Sequence, residues 1–562
     1  MTNIATTLRA ALATPRTNPA VKADHVNRAG APSYLRSIQE QILAVLTTGT
    51  LNNTFYASRE QIAKEAVNVL VKAREVCPSF LARALVYARN EGLMKTLPIL
   101  GLVILSAGGG RTKEYFEQAF ARVVKTPDDL RSFVEIAKSG ATRGRKGLGG
   151  MTVESVRKFL QGMSEYHVVK YGSAHSADVT LRDILRMAHP KPATPESAER
   201  FAWLIRGVEG LGENTMLNPQ IRALESLKRA ATEDEQVALI REGRLPYEVV
   251  VPSVKGTTQA IWSELLRQAP YMNLLRNLVT FTRHGVFADE ANVRYAVEKL
   301  TNPKAVEHSK CLPFRFFDAW KAYVASEKFD ARIADALRLA LELSFVNMPS
   351  FGNRTVAIAP DTSGSMGGLV SEKGTARYID IAGIMSGACL KRVEERAILL
   401  PFDTCIHPAS DVSKRDDILV IAKKLASYGG GGTAVGAPVE SLLRSKTKVD
   451  ALIGITDNED WAYGKEQSCS RSFLTLWRRY REEVAPDARA FLVTIAPYRD
   501  VVAPAGEKGV HFIYGWSDKV LRYISSALEA GESQVERVQK MDLGIESGRR
   551  QTLDASDAQT EG

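Results

Sequence analysis

The 562-residue sequence predicts a multidomain protein in which an all-α region of stacked antiparallel helix pairs precedes a doubly wound α/β domain. Three observations carry that prediction. The chain is longer than one hydrophobic core usually serves. From Ser33 to Leu343 apolar residues recur at three- and four-residue steps, in pieces punctuated by Gly, Pro and Asn. After Asn347 short β-branched runs alternate with amphipathic ones, the order of right-handed βαβ crossovers. Apolar residues at 45% and charged residues at 25% belong to a folded globular chain and exclude a disordered one.

The helical region opens with SYLRSIQEQILAVL, where Leu35, Ile38, Ile42, Val45 and Leu46 make one apolar stripe. Comparable pieces follow: CPSFLARALVYARNEGL, TPDDLRSFVEIAKSG, TVESVRKFLQGMSEYHVVKYG, TLRDILRMAH and ESAERFAWLIRGVEG, each of ordinary helix length. Pro127 with Asp128 and Asp129 is a helix start, because Pro lacks an N–H that would go unpaired there and acids complement the helix dipole; Gly140 is a stop. Short helices in series favour a HEAT-type α-solenoid, although no strict repeat period is visible. The run TLPILGLVILSAGGG stays well short of the ~20 residues a membrane span needs and reads as a buried helix, so no membrane partner is expected.

Past the junction VNMPSFGNR, the strand-like runs TVAIAP, AILLPF, DALIGIT, ARAFLVTIA and GVHFIYGW take turns with the helix-like ARYIDIAGIMSGACLKRV, DDILVIAKKLASYG, SFLTLWRRYREEV and DKVLRYISSALEA. The expected divisions are an N-terminal arm at 1–30, a helical domain at 31–350, an α/β domain at 351–530 and a disordered tail at 531–562, rich in Gln, Ser, Asp and Glu. The first 23 residues hold no acid, as in a transit peptide, but no apolar secretory core follows and they read as an arm packed on the domain. Cys77, Cys311, Cys389, Cys405 and Cys469 are scattered without a CxxC pair, which argues against a disulfide framework or a zinc site and fits a reducing, cytoplasmic setting.

In an open parallel sheet, ligands gather beyond the carboxyl ends of the strands. The stretch VAIAPDTSGSMGG puts Asp361, Ser363 and Ser365 directly after a β-branched run, YGGGGTAVG brings Thr433 on a glycine-rich loop, and ALIGITDNED brings Asp457 after another strand. Two carboxylates and three hydroxyls form an all-oxygen set suited to a hard divalent cation; magnesium fits best, with calcium or manganese as the other candidates. A Ser/Gly turn capping a helix explains part of this pattern but needs neither the Thr nor the second Asp. The set resembles the metal-ion-dependent adhesion site of von Willebrand factor A domains. That resemblance implies that the two serines and the threonine bind the ion directly or nearly so, and the aspartates directly or through water. Catalysis is not expected: SGSMG lacks the G-x-S-x-G spacing, GGGGT lacks the Gly-Lys-Ser/Thr end of a phosphate loop, and His407 and His511 read as ordinary loop or sheet residues.

Charge separates the two parts. Residues 1–350 carry 47 Lys+Arg against 35 Asp+Glu, a net +12, whereas the remainder carries 27 against 29, a net −2. The densest cationic feature is SGATRGRKGLGG, with Arg143, Arg145 and Lys146 among glycines that let a backbone approach phosphates. Further on, YHVVKYGSAHSADVTLRDILRMAHPKPA carries Lys170, Arg182, Arg186, His189 and Lys191 with Tyr166, His167 and Tyr171 interleaved; Arg182, Arg186 and His189 share a helix face. Such a face suits RNA, whose phosphates attract Arg and whose unpaired bases stack on aromatics; a merely solvated basic helix end is the competing reading. Trp262 and Tyr271 in IWSELLRQAPYMNLLRNL read as core, while Arg276, Lys310, Arg315 and Lys321 are weaker cationic candidates.

The basic loop, KYG, LRDILRMAHPKP, LPYEVVVP and APYMNLLRNL resemble, in order, the TROVE module of the Ro family of RNA-binding proteins, in which a von Willebrand A domain follows, as it does here. The likeness runs from about residue 30 to 525. It implies a closed ring of HEAT-like helix pairs that binds small structured Y RNAs on its outer basic surface and single-stranded ends of misfolded noncoding RNAs through its hole, with Lys170 and His189 at RNA-contacting positions. The family's Arg after the KY pair has no counterpart in KYGSAHSADVT, where Arg182 or the loop Arg143 to Lys146 would substitute. The expected function is that of a monomeric, non-enzymatic ribonucleoprotein component in RNA quality control or processing, with an exoribonuclease as a further partner. The alternative is a metal-dependent protein-interaction scaffold with no RNA role.

Overall fold

The computed structural model describes residues 25–26, 32–48, 59–110, 112–140, 148–172, 178–311, 313–345, 350–370, 376–394, 396–457, 460, 462, 470–496, 500–504, 507–516, 519–530 and 533–544. The loop bearing Arg143, Arg145 and Lys146 lies outside them, as does most of the expected N-terminal arm. A helical region precedes a domain built on a parallel sheet, and the chain groups into two compact units. One comprises residues 120–311 and 319–343, the other residues 1–119, 312–318 and 344–562.

The first of these units is all helix. The TPDD start forms as its chemistry dictates: Thr126 accepts from the Asp129 N–H, Asp129 accepts from the Thr126 N–H, and Gly140 ends the helix Pro127–Ser139 in the left-handed region. The piece TVESVRKFLQGMSEYHVVKYG, which its periodicity presents as one helix, is two, Gly150–Gln161 and Glu165–Gly172. The break follows Gly162, the helix C-cap, and the chain re-enters a helix at Glu165. Trp262 and Tyr271 are core as expected: Trp262 stacks on His284 at 4.7 Å and Tyr271 donates to the Leu300 carbonyl at 2.7 Å.

The second unit is organised by a five-stranded parallel sheet, β3 (Thr355–Pro360), β4 (Arg396–Leu399), β5 (Ala451–Thr456), β6 (Arg489–Thr494) and β8 (Val510–Tyr514), in the order β4-β3-β5-β6-β8. Strand β5 is buried along its whole length and β3 at all but its first residue, as continuous apolar runs in a doubly covered sheet should be. A small antiparallel sheet joins β1 (His25–Val26), β2 (Pro32–Leu35) and β7 (Asp500–Val501). Leu35 therefore belongs to a strand, paired with Asp500, and the helix predicted from it begins only at Ile38.

Packing also departs from the expected division at residue 350, because the first helices belong with the α/β domain. The helix Ile38–Thr48 buries Ile42, Leu43 and Leu46 and packs on β8, and the Arg36 guanidinium lies over the Tyr514 ring at 4.7 Å. The expected disordered tail is ordered in its first part. Gln534–Gln539 is a helix started by a Ser533/Glu536 capping box, its Gln534 side chain donates to the Tyr87 hydroxyl at 2.9 Å, and the Met541 carbonyl accepts from Arg83 at 2.9 Å. The polar composition that suggested fraying pairs with partners nearly 450 residues away in sequence.

Candidate metal centre and cationic surface

The carboxyl end of β3 runs straight into the oxygen motif. The Asp361 N–H still donates to β5 through the Ile455 carbonyl at 2.9 Å, so the sheet itself fixes where the carboxylate starts. Its side chain then turns the loop: Oδ1 accepts from the Ser363 N–H at 2.9 Å and Oδ2 from the Thr456 hydroxyl at 2.6 Å. The Ser363 and Ser365 hydroxyl oxygens lie 3.2 Å apart. The glycine-rich loop docks onto this turn, with Gly364 N–H donating to the Gly431 carbonyl at 2.9 Å and Gly430 N–H to the Thr362 carbonyl at 2.8 Å. Gly429 holds φ +70°, and a Cβ there would stand 2.4 Å from Thr362 Oγ1, which explains why the loop that delivers Thr433 is glycine-rich.

All five predicted ligands, Asp361, Ser363, Ser365, Thr433 and Asp457, are buried beyond one sheet edge. Burial first, and the negative charge of Asp457 second, push the Asp361 carboxyl up to about 7. Thr433 Oγ1 is fully buried with no hydrogen-bond partner. Two adjacent buried acids and an orphaned hydroxyl are costly alone and are satisfied together by one hard cation, so these residues fit a divalent ion. Sequence reasoning missed Tyr378, whose buried hydroxyl has no partner and is raised above its usual range by burial and by Asp457. It sits at the start of the helix Tyr378–Arg392, with its N–H on the Gly368 carbonyl at 3.0 Å, and nothing in its sequence neighbourhood marks it.

The cationic residues divide by environment. Lys170 is largely buried and ion-paired, 2.9 Å from Glu248, with the Tyr166 and Tyr171 rings 5.8 and 5.7 Å away. Burial alone would lower its ammonium pKa, but Glu248 outweighs it and raises it. The helix Leu181–Ala188 turns Leu181, Ile184, Leu185 and Ala188 inward and leaves Arg182 and Arg186 exposed. His189 caps it in the left-handed region and Lys191 follows, both exposed. Arg157 Nε donates to the Ala188 carbonyl at 2.6 Å and Gln161 to the Lys191 carbonyl at 2.9 Å, which anchors the backbone beneath the charges. Among the described residues none of Arg182, Arg186, His189 and Lys191 is in an ion pair. Of the weaker candidates, Arg276, Lys310 and Arg315 are exposed and Lys321 is half-buried.

Comparison with known proteins joins the two parts. Residues 249–348 match the family model of the TROVE domain and residues 355–527 that of the Ro60 vWA domain. The exposed stripe Arg182 to Lys191 lies N-terminal to the matched TROVE segment. The chain is similar to the RNA-binding protein RO60 of Deinococcus radiodurans, at 28% identity over 462 residues, 78% of this chain and 83% of that protein. It is also similar to telomerase protein component 1 of Rattus norvegicus, at 22% identity over 341 residues, half of this chain but only 13% of that protein. The crystal structure of the Deinococcus radiodurans RO (RSR) protein has the same fold, with a TM-score of 0.66 at 22% identity, over 88% of this chain and 100% of that one. Among the described residues no helix is long and apolar enough to cross a membrane. A match to the TROVE domain followed by one to the Ro60 vWA domain, with 28% identity to RO60 over 78% of its length, makes the chain similar to Ro proteins in domain order and along most of its length.

Proposed function

We propose that this protein is a non-enzymatic RNA-binding component of a ribonucleoprotein, gripping structured noncoding RNA of the Y type through the cationic surface around the helix Leu181–Ala188. The observation that carries the reading is the row Arg182, Arg186, His189 and Lys191, exposed and outside any ion pair among the described residues, on a backbone held by Arg157 and Gln161. Guanidinium and ammonium groups outside ion pairs, with Arg182 steadied by its Nε donating to the Leu204 carbonyl at 2.9 Å, meet phosphates at little reorganisation cost. The similarity to the RNA-binding protein RO60 of Deinococcus radiodurans supports the same reading. The buried oxygen set holds magnesium and supports the domain that carries it; RNA binding asks neither a nucleophile nor a general base of it.

The test is a salt-titrated binding measurement on a small structured RNA with the full chain and its Arg182→Ala/Arg186→Ala/Lys191→Ala variant. Loss of at least tenfold in affinity with an unchanged fold is expected. Equal affinities would remove this surface from the RNA interface.

A further inference from the structure

A second cluster stands on the loop after β4, where sequence spacing argued against any zinc site. Residues 402–407 form a tight hairpin: Phe402 pairs with Ile406, the Asp403 N–H donates to the Cys405 carbonyl at 3.1 Å, and the His407 N–H donates to the Pro401 carbonyl at 2.8 Å. Alternate residues 403, 405 and 407 thereby bring a carboxylate, a thiol and an imidazole together, with one donor atom of each within 4.8 Å of the others.

We infer that Asp403, Cys405 and His407 form a cation site of their own, for a borderline transition-metal ion of the zinc class, distinct from the all-oxygen set. The donor types select the ion: thiolate with imidazole and carboxylate suits Zn²⁺ or its Co²⁺ surrogate rather than magnesium or calcium. The separations suit it too. Bonds of roughly 2.0 to 2.3 Å to a tetrahedral ion place N and O ~3.3 Å apart and O and S ~3.5 Å apart. Here His407 Nε2 stands 2.9 Å from Asp403 Oδ1, and Cys405 Sγ stands 3.9 Å from it. Side-chain shifts of a few tenths of an ångström bring both separations from Asp403 Oδ1 to those values, with Nε2 and Sγ already within 4.8 Å of each other.

Three further features belong to a prepared site. His407 Nε2 is shielded from solvent and faces the Asp403 carboxylate at 2.9 Å. Asp403 is oriented from behind by the Gly431 N–H on Oδ2 at 3.1 Å and by the Thr404 hydroxyl and Cys405 N–H on Oδ1, each at 3.2 Å, as outer-shell partners of ligating carboxylates are. The Tyr428 ring lies parallel to the imidazole and holds its plane, while Cys405 is exposed and leaves a fourth position open to solvent.

The experiment is cobalt titration of the full chain in excess Mg²⁺, which occupies the oxygen set, read by near-ultraviolet absorption. One equivalent of Co²⁺ should produce a thiolate-to-cobalt charge-transfer band, and one equivalent of Zn²⁺ should abolish it. The band should vanish in Cys405→Ser, and His407→Ala should weaken Co²⁺ binding at least tenfold; both positions reach the surface, so both variants should keep the parent melting profile. Saturation of the parent with Co²⁺ and no charge-transfer band would overturn the assignment, as would a band that persists in Cys405→Ser.

Discussion

Thr433 carries the least compensated atom of the oxygen set, a buried hydroxyl with no partner, and an atom of that kind costs about 1–3 kcal/mol relative to a satisfied one. Thr433→Val keeps the shape and removes the oxygen, so the magnesium-free protein should melt no lower than the parent while the rise in melting temperature on adding Mg²⁺ is lost. A large destabilisation without Mg²⁺ would instead give Thr433 a structural role. That the five oxygen residues meet beyond one sheet edge was legible because sheet topology dictates where strand ends meet, and Asp361, Thr433 and Asp457 each follow a recognisable strand or glycine loop. Asp403, Cys405 and His407 were not: their convergence depends on one hairpin whose backbone bonds leave no periodic mark. Lys170 was read as an RNA-contacting cation with aromatics interleaved; the rings do flank it, but its ion partner Glu248 lies far along the chain and no local pattern points to it.

At the scale of elements, one close approach and one half-buried ring set the tolerance of the α/β domain. Gly383, within the helix Tyr378–Arg392, faces the helix Ile418–Leu425 so closely that a Cβ would stand 2.8 Å from Ala422 Cα, and backbone cannot rotate away as a side chain can. Gly383→Ala should therefore cost about 1–3 kcal/mol in a denaturant melt, against the gain in helix propensity that Ala brings elsewhere. In β8, His511 stacks on Phe491 at 4.9 Å, and burial first, then Arg489, lower its imidazole to about 4, with Glu536 opposing. The unfolded chain binds that proton near 6.5 and the folded one only near 4. Stability tied to the neutral ring is thus present above pH 6.5 and lost as the pH falls toward 4, on the order of 3 kcal/mol. His511→Phe should melt with a shallower pH dependence than the parent across that window, and parallel curves would show that the ring titrates normally. Helix and strand types were legible from periodicity. The break after Gly162, the strand at Leu35 and the ordered helix Gln534–Gln539 were not, because each is decided by a tertiary partner or a single cap rather than by a repeated step.

For the whole chain, the charge split separates two kinds of site: +12 over residues 1–350, where the exposed stripe lies, and −2 over the remainder, where the cations would bind. Polyelectrolyte binding makes the consequence measurable, since each phosphate contact adds about 0.7–0.9 to the slope of log affinity against log salt. Arg182, Arg186 and Lys191 are solvated and outside any ion pair among the described residues, so replacing all three should lower the slope by about 2–3 as well as the affinity. Lys170→Ala removes a cation already neutralised by Glu248 at 2.9 Å and half enclosed by two tyrosines; it should leave the slope nearly unchanged and cost folding stability instead, because it strands a carboxylate whose Oε2 is buried without a partner. Thr433→Val, measured at the same fixed Mg²⁺, should leave both affinity and slope at parental values, since its hydroxyl is buried and out of reach of RNA. A slope that fell by about 0.7–0.9 with Lys170→Ala, one full phosphate contact, would mean that RNA displaces Glu248 and opens the ion pair on binding; the interface would then extend from the exposed stripe to the helix Glu165–Gly172.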